Sequence, residues 1–236
     1  MQFQAKRAFI AQAVFIIAVM LGGCAYQGSD DPISRRFTWF SYLNGDDIRA
    51  ACAAGANDRY RFVYNAIYVE QVRTYDLIAG GGGNDHLLKV RVIGPSDLSQ
   101  VLVEKGADLM TPWRGKDETV RLRDEDMGML KRAMQAGGVF APAPGGYELS
   151  SDSFYWLVGA CRDGRFHFNA YLWPSDRFDK TVFPKLLLAW DPTGVPLNEP
   201  RPASFFEIHG ERKNRNVISF NVRVGDNGLW GVEPLF

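Results

Sequence analysis

The side chains best suited to contacting a ligand lie in one short segment, residues 165–173, which reads Arg-Phe-His-Phe-Asn-Ala-Tyr-Leu-Trp. Alternate residues of a strand share one face. One face carries Phe and Ala. The opposite face therefore carries polar and aromatic groups, namely Arg165, His167, Asn169, Tyr171 and Trp173. Such a mixture suits a polar ligand with apolar faces, such as a sugar. We predict a binding face here. The alternative is an ordinary solvated or helix-covered sheet face.

Catalytic and cofactor motifs receive little support from the sequence. The three histidines are His86, His167 and His209, and none has a second ligand at a metal-binding spacing, so no metal site is predicted. The glycine run 80–83 lacks the Lys and Ser/Thr of a phosphate-binding loop, and no cofactor is predicted. A non-catalytic protein is favoured. The alternative is an envelope hydrolase with His167 as general base and a carboxylate that the sequence does not identify.

The three cysteines divide into one N-terminal residue, Cys24, and a pair, Cys52 and Cys161. An even pair in an exported protein is a candidate disulfide, because the compartment is oxidising. The alternative is two buried free thiols, since free cysteine is among the most buried residue types.

The N-terminus has the composition of a secretory signal. Lys6 and Arg7 precede an apolar run, residues 8–21, in which Gln12 is the only polar residue. At ~1.5 Å per residue the run spans about 21 Å, which is short of the ~30 Å hydrocarbon core. A cleaved signal is therefore favoured over a permanent transmembrane helix.

The tetrad Leu21-Gly22-Gly23-Cys24 resembles the lipobox of bacterial lipoproteins. The resemblance implies cleavage before Cys24, a diacylglycerol on its sulfur and an acyl chain on its amine, so membrane lipid is an expected partner. In that family an Asp after the cysteine often marks inner-membrane retention. Ala25 stands there in this chain, which favours the outer membrane facing the periplasm. An ordinary cleaved signal is the alternative.

Three regions follow from these assignments: residues 1–23 as signal peptide, 24–32 as lipidated cysteine with a short polar tether, and 33–236 as one globular domain. The whole chain has 27 basic and 27 acidic residues. Because the signal holds two bases and no acids, the mature chain has a slight acidic excess. Near-neutrality argues against nucleic acid as a partner.

The pattern of elements predicts an α+β domain, with a curved and mainly antiparallel sheet and two or three packed helices. Asp163-Gly164 predicts a hairpin turn between strands 153–161 and 165–173. Residues 178–190 are ambiguous, because Pro184 could open a helix or interrupt a strand. The other predicted strands are 33–43, 59–78, 87–93, 205–209, 216–224 and 229–232. The predicted helices are 45–54, capped by Asn44, 96–105, and one that follows Asp124.

A weak internal repeat relates residues 61–66, Arg-Phe-Val-Tyr-Asn-Ala, to residues 165–170, Arg-Phe-His-Phe-Asn-Ala. The repeat could be a coincidence or mark a duplicated strand.

Taken together, the N-terminal signal and the predicted binding face indicate a membrane-anchored periplasmic lipoprotein that binds or scaffolds an envelope protein or glycan.

Overall fold

The computed structural model describes residues 32–80, 85–94, 115–202, 204 and 219–235. Its five helices are α1 (Pro32–Asn44), α2 (Asp46–Ala53), α3 (Asp124–Ala136), α4 (Asp176–Asp179) and α5 (Phe183–Ala189). The strands are β1 (Arg59–Ala66), β2 (Gln71–Ile78), β3 (His86–Ile93), β4 (Lys116–Leu122), β5 (Glu148–Ser150), β6 (Phe154–Arg162), β7 (Arg165–Leu172), β8 (Ser219–Gly225) and β9 (Gly228–Leu235). Within these residues no helix has the length and apolar character to cross a bilayer. The helix predicted at 96–105 and the strand predicted at 205–209 lie outside them.

The predicted α+β class with antiparallel pairing is confirmed. Six strands form one sheet in the order β4-β3-β2-β1-β6-β7, and three form a second sheet in the order β5-β8-β9. All pairs within both sheets are antiparallel. The strands that the sequence assigned to one curved sheet therefore divide between two.

The large sheet is buried on both faces at its centre. The face that carries Tyr64 and Trp156 packs on α3 and α5, and is called the α3 face below. The other face, which carries Val63 and Leu157, packs on α1 and the small sheet, and is called the α1 face. Alternate side chains of each central strand therefore pack into two different hydrophobic cores, one on each face of the sheet. As a result, β1 and β6 are buried along almost their whole length.

The hairpin between β6 and β7 forms as predicted. Arg162 pairs with Arg165, which leaves a two-residue turn of Asp163 and Gly164 with φ values of 51° and 72°. Two consecutive residues with positive φ define the turn whose twist matches that of the flanking strands, and Asp-Gly is favoured there.

The predicted disulfide is confirmed. Cys52 of α2 and Cys161 of β6 are joined, with their Cα atoms 5.5 Å apart. The same apolar face of α2 buries Ile48 beside Cys52, and Phe166 packs against the cluster. The bridge fixes α2 to the large sheet.

The strand predicted at 33–43 is wrong, because the structure has helix α1 there. Aromatic content suggested a strand, but Trp39, Tyr42 and Leu43 are also spaced as one face of a helix, and all three are buried in the core of the α1 face. Asn44 is likewise not the cap of α2. Gly45 occupies that position, while the Asn44 Oδ1 accepts a hydrogen bond of 2.7 Å from the Leu229 N–H.

Two points left open by the sequence are answered. The ambiguous stretch 178–190 forms part of α4 and then α5, with a proline at the start of α5 as helices favour. The repeated hexapeptides fall on β1 and β7, which both pair with β6. Asn65 lies on the α1 face and Asn169 on the α3 face, however, so the repeat does not place equivalent side chains in equivalent surroundings.

Candidate functional site

The predicted binding face of β7 is partly enclosed. Asn169 is fully buried, and its Nδ2 donates hydrogen bonds of 3.0 Å to the carbonyl oxygens of Gly138 and Ala141. The Tyr171 hydroxyl donates a hydrogen bond of 2.8 Å to the Gly137 carbonyl. These two side chains therefore fasten the segment after α3 onto the sheet, and their polar groups are used within the protein. Arg165, His167 and Trp173 keep exposed surface.

His167 lies at the edge of this covered region. Its ring meets Phe140 edge-on, with centroids 5.3 Å apart. Burial lowers the His167 pKa and so do the charges of Arg165 and Arg162, while a hydrogen bond to the Phe140 main chain opposes them. The imidazole is therefore neutral at pH 7. It does not line the cavities described below.

The other histidine in the described residues, His86, has a structural environment. Its Nδ1 accepts a hydrogen bond of 3.0 Å from the Gly80 N–H, and its Nε2 lies 2.7 Å from an Asp124 carboxylate oxygen. It thereby joins the start of β3 to the start of α3. His209 lies outside the described residues, among which no group of three or more His, Cys, Asp or Glu side chains could hold a metal ion.

Trp173, the last residue of the predicted face, leads to a better site. It lines a cavity of about 450 Å³ on the α3 face, within the range usual for small-molecule sites. This aromatic pocket lies between α4, α5 and an irregular segment near residue 198. Its lining is Tyr64, Trp156, Trp173, Phe178, Asp179, Thr181, Pro184, Lys185, Leu188, Leu197, Glu199 and Pro200.

The floor of the aromatic pocket is built by neighbouring strands. Tyr64 of β1 stands directly opposite Trp156 of β6, and their rings stack with centroids 4.8 Å apart. Phe183 of α5 supports Trp156 edge-on at 5.7 Å. Trp173, which follows β7, meets Phe154 edge-on at 5.9 Å. Large rings in mutual contact have few alternative rotamers, so the floor is rigid.

One wall of the pocket is an irregular segment, residues 191–200, held by buried polar side chains. Arg73 of β2 is only 1% exposed. Its guanidinium forms an ion pair with Asp191 and donates to the Val195 and Pro196 carbonyls. Asp191 also accepts a hydrogen bond of 3.1 Å from the Tyr75 hydroxyl. The buried charge of Arg73 is thus compensated by Asp191, and its hydrogen bonds hold this wall in position.

The same wall is fixed again further along. Asn198 donates hydrogen bonds of 3.0 Å to the Ala66 carbonyl and 2.6 Å to a Glu70 carboxylate oxygen, while its own carbonyl accepts one of 2.8 Å from the Tyr64 hydroxyl. Arg201 closes the segment with a two-pronged ion pair to Glu70. A wall without regular secondary structure is therefore set in one conformation before any ligand arrives, which is the property of a preorganised site.

The opposite wall is formed by α4 and α5. Ser175 caps α4 by accepting a hydrogen bond of 3.1 Å from the Phe178 N–H, and the Thr181 hydroxyl donates 2.7 Å to the Phe178 carbonyl. Pro184 lies in the first turn of α5, where its missing N–H costs nothing. These local bonds place Phe178 and Lys185 at the mouth of the pocket.

Within the described part of the chain, the aromatic pocket has polar side chains that make no contact with another polar group. Asp179, Lys185 and Glu199 are exposed at its rim. None of these three side chains has a hydrogen bond or ion pair within the described residues, nor have the indole N–H groups of Trp156 and Trp173. The site thus offers two acceptor carboxylates, one ammonium and two indole donors above an apolar floor.

A second cavity lies on the other side of the large sheet. It measures about 200 Å³ and is lined by Phe40, Asn44, Leu229 and Trp230 among others. Its volume is below the ~300 Å³ at which small-molecule sites begin. Trp230 is 57% exposed there. It lies outside the aromatic pocket and therefore serves as a control tryptophan in the binding experiments below.

Comparison with models of protein families, with curated proteins and with solved structures finds no match for this chain. The geometry of the aromatic pocket is therefore the basis for a functional proposal.

Sequence reasoning found one residue of this pocket, Trp173, and missed the others. Tyr64 and Trp156 come from strands more than ninety positions apart in the chain, and Glu199 from a loop without a motif. The only sequence signals were the aromatic residues in β1 and β6 and the proline-containing stretch that forms α5.

Proposed function

We propose that the protein is a lipid-anchored binding protein of the bacterial envelope, and that its ligand occupies the aromatic pocket. The observation that carries the proposal is a preformed cavity of about 450 Å³ whose charged and indole groups have no partner within the described residues. The buried ion pair of Arg73 with Asp191 supports the proposal, because it holds one wall of the pocket in place without a ligand.

The anchor rests on the N-terminal sequence. Residues 8–21 form a short apolar run that ends in Leu-Gly-Gly-Cys24. Helix α1 begins at Pro32, so the tether from Cys24 reaches at most about 28 Å when fully extended. A domain on such a tether stays near the membrane surface and meets ligands there.

The anchor is tested by the substitution Cys24→Ser. We expect the variant to leave the membrane fraction and appear in the periplasmic extract, because the acylated sulfur is gone. Cys52→Ala with Cys161→Ala serves as the control for cysteine loss in general and should remain with the membrane. Retention of Cys24→Ser in the membrane fraction would contradict lipid anchoring at that residue.

The pocket is tested by photo-crosslinking in intact cells. A photoreactive phenylalanine analogue replaces Lys185, at the pocket rim. A control replaces Met129, an exposed residue of α3 that does not line the pocket. We expect a crosslinked envelope component from position 185 and none from position 129. Equal products from both positions, or none from position 185, would count against the pocket as the binding site.

A further inference from the structure

We infer that the ligand of the aromatic pocket is an uncharged saccharide, with one ring seated against Trp173 and its hydroxyl groups hydrogen-bonded to Glu199 and Asp179. The inference rests on the function proposed above and specifies the chemical class of the ligand.

The charges at the rim favour a neutral ligand. Asp179 and Glu199 repel an anion, and Lys185 repels a cation, while all three lie around one cavity. A hydroxyl group can donate to a carboxylate and accept from an ammonium or an indole N–H. A polyhydroxylated neutral molecule can therefore hydrogen-bond to all of these groups at once, which an ion of a single charge cannot do.

The ring arrangement argues against a cage for a quaternary ammonium ion. Such a cage encloses the charge with the faces of several aromatic rings. In this pocket Tyr64 and Trp156 lie nearly parallel, with an interplanar angle of 26°, so each covers a face of the other. Four aromatic side chains line the pocket: Tyr64, Trp156, Trp173 and Phe178. The first two thus cannot both turn their faces towards one cation.

Apolar surface is nevertheless needed by a sugar, and the pocket supplies it. Sugar rings carry C–H groups on one face, and the electron-rich face of an aromatic ring attracts them. Trp173 and Phe178 are only half buried, so they retain surface for this contact. The indole N–H of Trp173 adds a donor beside the apolar surface.

A peptide ligand is less suited to the position of the pocket. Extended peptides bind most readily by adding a strand to a sheet edge. The edges of the large sheet are β4 and β7, whereas the aromatic pocket lies over the α3 face, above β1 and β6. An open pocket on a sheet face, bounded by α4, α5 and residues 191–200, matches one or two rings better than an extended chain.

The test is a calorimetric titration of the full lipoprotein in detergent micelles. The ligands are three neutral tetrasaccharides, chitotetraose, cellotetraose and maltotetraose, together with the free stem tetrapeptide of peptidoglycan. We expect at least one saccharide to bind saturably. Its affinity should change less than about twofold when salt is raised, because no ion pair contributes.

Two variants locate the site. Trp173→Ala and, separately, Glu199→Ala should each weaken saccharide binding about tenfold or more, as expected for a central contact residue. Trp230→Ala, the matched tryptophan on the other side of the sheet, should leave the affinity unchanged. Glu199 is exposed and has no partner in the described residues, so its variant reports on binding even if Trp173→Ala fails to fold.

The outcomes separate this inference from the function on which it rests. Crosslinking from position 185 without binding of any saccharide overturns the saccharide class alone. Binding of the tetrapeptide in place of the saccharides assigns the pocket to peptides. Absence of crosslinking together with absence of binding overturns both.

Discussion

Removing the disulfide between Cys52 and Cys161 should destabilise the protein strongly. The paired cysteines are 109 residues apart in sequence, and closing a loop of that length restricts the unfolded chain by about 4.8 kcal/mol at 25 °C in the chain-entropy relation. Both residues are almost fully buried, so replacing the sulfur atoms also leaves small voids. We expect the double variant Cys52→Ala with Cys161→Ala to lose about 3–5 kcal/mol of unfolding free energy.

Urea unfolding followed by far-ultraviolet circular dichroism measures this loss, with linear extrapolation to water. The wild-type protein unfolded in the presence of a reducing agent is the matched control, because it keeps both sulfur atoms and loses only the bond. The two should agree within about 1 kcal/mol, which is the size of a typical small core truncation. A loss below about 1 kcal/mol in both samples, without a change in the slope, would refute the reasoning that this bridge constrains the unfolded chain.

Three further variants test the contacts that shape the site. Arg73→Met should lower the unfolding free energy by about 3–5 kcal/mol, because it leaves Asp191 buried and uncompensated, and it should abolish ligand binding. Recovery of both stability and binding in Arg73→Lys would show that the several hydrogen bonds of the guanidinium are unnecessary. Asn169→Ala should lower the unfolding free energy by about 2–3 kcal/mol, because buried carbonyls lose their donor, while ligand affinity measured by calorimetry stays within experimental error. His167→Gln should reduce the loss of stability on acidification. The pKa of His167 is lowered in the folded protein. The wild-type unfolding free energy therefore keeps its full value above pH 6.5 and falls as the pH drops through that value, because the unfolded chain binds the proton more readily. Parallel unfolding curves of wild type and variant across that range would contradict this.

The fold class and the local turns were predictable because local residue types decide them. Asp163 and Gly164 can adopt positive φ, and that alone predicts the hairpin. Helix α3 has acids in its first turn and glycines after its end, which complement the helix dipole and the C-terminal stop. Such signals operate within a few residues and survive in any tertiary context.

Helix α1 shows where local composition misleads. Its aromatic residues favour strands by propensity, but the small sheet offers a surface that accepts them at helical spacing. Phe40 and Phe220, for example, meet edge-on with centroids 5.1 Å apart. The partner surface comes from residues about 180 positions later, so no local window contains the deciding contact.

The candidate site was predictable only in part for the same reason. Strand alternation correctly divided β7 into an apolar and a polar face. It could not show that residues 137–141 cover Asn169, or that Trp173 extends beyond that cover into a cavity. The pocket depends on how Arg73 fixes residues 191–196, and a buried arginine in a strand gives no local signal of its partner.

The most direct test of the binding claim is the response of the indole N–H signals of the full protein in ¹⁵N-resolved NMR. The chain has six tryptophans, and single Trp→Phe variants assign their signals. On titration with a mixture of the three neutral tetrasaccharides and the stem tetrapeptide, we expect the signals of Trp156 and Trp173 to shift. The signals of Trp39 and Trp230, which lie outside the aromatic pocket, should stay in place. Shifts confined to Trp230, or an unchanged spectrum at the highest concentration of this mixture, would contradict the account.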